Sequence, residues 1–350
     1  MMSKFLLWPL KGVLLSALFM STLSFAGIIV HQPSTVIIGS GISRPEGIAF
    51  SPSGKLLAVA NATGNRITFY KINENGMSFY NKPFFTLEGA SSHLSYPHDV
   101  CFSLDGSHVA VTNSLSNAIT IYKKNDFCYD LKPITTIQGE QSELLHPNSV
   151  RYAPQGNFIA VANLLKNTIS FYRYHGDVYE QEPYQVIESV NHILDRPDGL
   201  SFTTDGELLA VTSHDGNAVA IYQQVPNSEG LYSQEPVEII QGEGSNLLYP
   251  HSVSFHPTNK YLAVSSAGGK KTLNIFQKVS DEFPRYSHFP AYTVEVYNPM
   301  SIHLQSKQPH EGGVKGIAFS NDGTFLGICA SDIAHSDRTI FIFPVEIIQD

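Results

Sequence analysis

The stretch RPDGLSFTTDGELLAVTS, residues 196–213, holds two short apolar runs, each entered through a turn, with acids at Asp198 and Asp205. Five other segments repeat it: RPEGIAFSPSGKLLAVAN (44–61), YPHDVCFSLDGSHVAVTN (96–113), HPNSVRYAPQGNFIAVAN (146–163), YPHSVSFHPTNKYLAVSS (249–266) and GVKGIAFSNDGTFLGICA (313–330). The prolines at 45, 97, 147, 197 and 250 recur every 50 to 53 residues, and Val314 takes that place 64 residues further on, after a longer connection. A fixed period of this size marks a repeat architecture.

Each copy divides into four β signals bounded by turn residues. Strand A is GIAF or its equivalent and strand B is LLAVA. An Asn- and Gly-rich loop leads to strand C (ITFY, ITIY, ISFY, VAIY, LNIF, IFIF), and strand D is FFTLEG, ITTIQG, YQVIES, VEIIQG or YTVEVY. Four antiparallel strands per period make a propeller blade. Six copies predict an all-β, six-bladed propeller, with seven blades as the alternative. STVIIG at 34–39 is a strand D with no A, B or C before it, so it is predicted to close the ring on the sixth blade. The tail VEIIQD competes, but only Pro344 separates it from strand C, too few residues for a hairpin. Phe50, Phe102, Tyr152, Phe202, Phe255 and Phe319 recur at one position and are predicted to pack between blades.

Residues 1–26 read as an export signal: Lys4 and Lys11 are basic, VLLSALFMSTLSFA is apolar, and Ser24-Phe25-Ala26 before Gly27 suits a signal peptidase. The propeller is then residues 27–350, and a periplasmic or extracellular monomer is expected. Loss of that segment removes two lysines and no acids, moving the formal charge from −9 to −11. An acidic surface repels phosphate backbones, so nucleic acid is excluded as a partner; no later run is apolar for long enough to span a bilayer. Three scattered cysteines, Cys101, Cys128 and Cys329, make neither a disulfide framework nor a cysteine-based zinc site.

Strand direction alternates within a blade, so the D–A and B–C loops of all blades share one face. The residue after each proline opens an innermost strand on that face, near the axis. These residues are Glu46, His98, Asn148, Asp198, His251 and, by alignment, Lys315. Carboxylates, imidazoles and an amide around one channel suit a divalent cation such as Ca²⁺, a polar ligand, or general acid–base work with His98 and His251 as catalytic candidates. Asn61, Asn113 and Asn163 open the B–C loops and Asn65, Asn117, Asn167 and Asn217 close them; their recurrence predicts a structural role, left-handed backbone and bonds within their own loops. His214, Asp215, Asp332 and His335 break the pattern on the same face and join the binding candidates. NPMSIHLQSKQPHEGG at 298–313, with His303 and His310, is a candidate lid.

The combination of P-x-G/S, an S-P-D-G-like turn, LLAVAN and N-x-I-T-F-Y resembles the YVTN and lactonase-like propeller superfamily across essentially all of residues 27–350. That resemblance implies the fold, in a group that includes sugar-lactone hydrolases and surface-layer proteins. Six blades also bring a resemblance to the gluconolactonase and senescence-marker family, whose strand-start Glu, Asn and Asp hold a divalent metal that polarises a lactone carbonyl. Glu46, Asn148 and Asp198 look like those ligands, whereas YPHD has His98 where that family has Asn. Two functional readings follow. One is an exported propeller that binds a protein, glycan or small ligand at the D–A/B–C face; the other is a lactone or ester hydrolase, metal-dependent through Glu46, Asn148 and Asp198.

Overall fold

A computed structural model of the chain describes residues 27–39, 41–155, 157–269, 271–296, 313–331 and 338–348. The export segment, His303 and His310 of the candidate lid, and Asp332 and His335 lie outside these residues. Among the described residues no helix is long and apolar enough to cross a membrane.

Six antiparallel sheets form a six-bladed propeller. The first blade runs Pro45–Phe50, Leu56–Asn61, Arg66–Lys71 and Phe85–Leu87, and four more follow the same order. The sixth contributes Gly313–Phe319, Phe325–Ser331 and Thr339–Ile347, and the N-terminal strand Thr35–Ile38 pairs with the last of these, Ile37 opposite Ile340. Closure is therefore as the sequence predicts. The tail is not a competitor: Thr339–Ile347 runs straight through Pro344 and pairs beyond it with a fifth strand, Ile28–Val30. Pro344 sits in the gap between the two partners, where its missing N–H breaks no ladder.

The core is divided by interface. Six apolar clusters lie one between each pair of neighbouring blades, and the recurrent aromatic appears in or against every one: Phe50 between blades six and one, Phe102, Tyr152, Phe202, Phe255 and Phe319 at the other five. Burying rings of this size contributes the main stabilisation of a sheet that cannot bury both faces alone.

Every innermost strand begins with a β-bulge. Pro45 opposes Asn61 but Gly47 opposes Ala60, so one residue is gained on strand A; the same single-residue gain recurs in all six blades. A bulge re-aims a side chain, here turning the residue after the proline out of the ladder and into the channel. The backbone it frees is satisfied from strand B. Thr112, Thr212 and Ser265 accept from the N–H groups of Asp99, Gly199 and Ser252 at 2.8, 2.7 and 2.9 Å. The same hydroxyls donate to the carbonyls of Asn148, His251 and Lys315 in the next blade.

Candidate functional site

The bulges bring Glu46, His98, Asn148, Asp198, His251 and Lys315 together as the buried floor of a bowl of about 730 Å³ on the D–A/B–C face. Beneath them the space shrinks to about 10 Å³, room for a single water, so the bowl ends at this ring. Glycines allow the inner strands to come this close. A Cβ on Gly47 would lie 2.6 Å from Asp99 Cα, and one on Gly199 would lie 2.7 Å from Ser252 Cα.

Glu46 is the hub. Its Oε1 accepts from Arg44 Nε at 2.6 Å, while Oε2 is buried and has no hydrogen bond among the described residues. Around Oε2 stand His251 Nε2 at 3.4 Å, Lys315 Nζ at 3.9 Å and His98 Nε2 at 4.0 Å. Burial works to raise the Glu46 pKa, but Lys315, then His251 and His98, overcome it and hold the group well below the usual carboxylate range. The two imidazoles come from blades two and five, on opposite sides of the axis, and stack with centroids 5.2 Å apart. Burial depresses the pKa of both, His251 more strongly than His98. The Nδ1–H of His98 donates to the Asn148 carbonyl at 2.9 Å, which leaves its Nε2 lone pair facing the hub.

Asp198 faces the same His251 nitrogen, Oδ2 to Nε2 3.6 Å, and accepts from Asn148 Nδ2 at 3.0 Å. Burial first, then the fields of Glu46 and Asp99, push it up to about 7 against Lys315 and Asn148. Asn148 Oδ1 faces Ser114 Oγ and His146 Nδ1, at 3.2 and 3.0 Å. Of the oxygen set expected from the sequence, Asp198 Oδ1 and Asn148 Nδ2 are therefore bonded to each other, while Asn148 Oδ1 faces Ser114 and His146.

Above the floor is a second ring that sequence reasoning missed: Arg44, Tyr96, His146, Arg196 and Tyr249, each the residue before the proline, all lining the bowl. All five have left-handed backbone, φ from 50 to 56°, unusual for bulky side chains. The signal was available, since these residues differ from blade to blade while their neighbours repeat. The asparagines explain how they are held. Asn65, Asn117, Asn167 and Asn217 are left-handed as predicted, and Asn217 also bonds within its own loop, Nδ2 to the Asp215 carbonyl at 3.4 Å, but the side-chain oxygens of all four reach across the blade boundary. Their side chains accept from the N–H groups of Tyr96, His146, Arg196 and Tyr249 in the next blade, at 2.7 to 2.9 Å. Asn61 and Asn113 instead accept from Ser43 and Ser95 in the D–A loops of their own blades.

Of the loop candidates, His214 and Asp215 do line the bowl, bonded to each other at 2.5 Å, with Asp215 3.6 Å from Arg196. The cysteines are buried free thiols.

Comparison with known proteins gives the lineage. The family described as "Lactonase, 7-bladed beta-propeller" matches residues 50–247, and a WD domain, G-beta repeat, matches 302–343. A putative 6-phosphogluconolactonase from Bacteroides fragilis superposes with a TM-score of 0.59 at 12% identity, covering 92% of this chain and 98% of that one. The Cps50 (Swd1) β-propeller domain of Myceliophteria thermophila gives 0.58 at 13%, covering 90% and 100%. A Lactobacillus plantarum protein gives 0.55 at 17%, covering 71% and 70%. Likeness at these identities shows shared fold. Uncharacterized proteins of Staphylococcus aureus are 32% identical over 76 residues, 22% of this chain and about a fifth of their own length. With more than half of its residues matched by the family, this six-bladed chain belongs to the lactonase β-propellers.

Proposed function

We propose that the chain hydrolyses a lactone or a related ester at the floor of the bowl. The observation that carries this reading is the placement of buried Asp198 beside His251 and Glu46 at the closed end of a polar cavity. A carboxylate there can take a proton from water while cations around it meet the developing charge. In the step envisaged, the oxygen of a water bonds to the lactone carbonyl carbon and its proton passes to Asp198. Lys315 and Arg44 offset the negative charge of the tetrahedral oxyanion. The carbonyl re-forms as the ring C–O bond breaks, and the departing alkoxide takes the proton back, leaving a hydroxy acid. Arg196, Tyr96 and Tyr249 on the rim would orient the substrate.

The test is a panel of γ- and δ-lactones followed by acid release. Asp198→Asn is nearly isosteric but cannot take the proton, so a loss of at least about 100-fold in kcat is expected. Turnover equal to wild type in that variant, or no turnover of any lactone by the folded protein, would sink the assignment.

A second reading, retention of a ligand without turnover, is favoured by the rim: aromatic and guanidinium groups fixed on strained backbone make a preorganised pocket. Calorimetric binding of sugar acids with no product formed would select it. Under either reading we place the site outside the cytoplasm, on the basic-then-apolar segment before Gly27. N-terminal sequencing of protein recovered from the periplasm or medium checks this; a mature chain beginning at Met1 would count against it.

A further inference from the structure

Glu46, His98 and His251 present one carboxylate oxygen and two imidazole nitrogens within 4.8 Å of one another, all on buried side chains. We propose that this cluster binds one first-row transition ion of the Zn²⁺ or Co²⁺ kind, an ion outside the reach of a calcium-type oxygen set. The site stands or falls independently of the hydrolase reading.

Three observations converge on it. Glu46 Oε2 is buried, aimed at the two imidazoles and without a hydrogen bond among the described residues, an arrangement that costs free energy unless a partner occupies the space. His98 has the outer bond typical of a metal-bound histidine, Nδ1–H to a backbone carbonyl, which fixes the tautomer and points Nε2 at the hub. Lastly, the donor type selects the ion. Imidazole suits zinc, copper, iron and nickel, whereas calcium takes six to eight oxygens.

The dimensions are close. A tetrahedral zinc ion with bonds of about 2.0–2.1 Å sets its ligands roughly 3.4 Å apart. The Glu46–His251 edge is 3.4 Å and the Glu46–His98 edge 4.0 Å, so small side-chain rotations bring the set together. Two His, one Glu and open positions toward the bowl leave room for water or substrate. Lys315, 3.9 Å from the same oxygen, is the built-in competitor: its ammonium must swing away when an ion enters.

Co²⁺ titration of the apo protein, read by visible absorption and by calorimetry without substrate, tests the site. One ion per chain, displaced by Zn²⁺ and not by Ca²⁺, is expected. His98→Ala, His251→Ala and Glu46→Gln should each weaken it by more than the roughly 10–100-fold that outer partners cost. Lys315→Met, which removes the competitor and no ligand, should tighten it, and this arm stands even if a histidine variant fails to fold. No Co²⁺ binding by wild type, wild-type affinity in folded His251→Ala, tighter Ca²⁺ than Co²⁺ binding, or affinity unimproved in Lys315→Met would overturn the proposal. Lactone hydrolysis assayed separately, with and without chelator, distinguishes failure of the metal site from failure of the enzyme.

Discussion

Asp198 and Asp205, seven residues apart in the same repeat, have opposite duties. Asp198 is turned by a bulge into the bowl floor, whereas Asp205 caps the A–B turn on the other face, accepting from Thr203 Oγ1 at 2.6 Å and Glu207 N at 3.0 Å. Asp105 and Asp322 cap the equivalent turns in the same way. Asp205→Ala should cost about 1 kcal/mol of stability, the worth of such bonds, and leave any ligand binding in the bowl unchanged. Thermal melts and titration of the variant check both halves. Asp105 adds a pH test. Burial opposes its ionisation, but bonds from Ser107 and Ser103 bring it down to about 2. A folded pKa below the unfolded value makes its contribution complete above about pH 4 and lost as pH falls toward 2. The gap in melting temperature between wild type and Asp105→Ala should therefore close over that window; a gap constant down to pH 2 would contradict the assignment.

At the scale of elements, the strand-start bulge and the cross-blade asparagine set the site. Gly47 and Gly199 stand where neighbouring inner strands touch, and the nearest atom a Cβ would strike is in each case a backbone Cα, of Asp99 or Ser252, unable to rotate away. Gly47→Ala should cost about 1–3 kcal/mol through the forced shift. It should also disturb Glu46 next door, so that stability and any binding fall together. For Asn117, two terms separate by substitution. Asn117→Gly keeps left-handed backbone but loses the 2.7 Å bond to His146 N, about 1 kcal/mol. Asn117→Ala loses both, with about 1–2 kcal/mol more for an alanine at φ 51°. Equal melting temperatures for the two variants would show that backbone strain is not a factor there.

Over the whole molecule, stability depends on closing the ring, because each apolar cluster needs two blades. Ile37 in the closing strand is buried in the cluster between blades six and one, while Ile38 beside it points outward and is 56% exposed. Ile37→Asp should destabilise by at least about 3 kcal/mol, a buried charge without a partner. Ile38→Asp should stay within about 0.5 kcal/mol. Denaturant midpoints for the pair decide whether the N-terminal strand closes the propeller in solution.

Blade number, strand order, closure by residues 34–39 and the residues of the floor ring were all legible in the chain, because a repeat of short-range patterns carries its own register. Asp205 and its equivalents could be recognised as turn formers for the same reason: their partners lie two residues away. What tertiary structure alone decided is how far apart groups lie when they are fifty or two hundred residues apart in sequence. The stacking of His98 on His251 across the axis, the approach of Glu46 Oε2 to both rings, and the turning of Asn148 toward Asp198 all depend on the radius at which six wedge-shaped blades meet. That radius is a packing outcome of all the interfaces at once, and no single repeat encodes it.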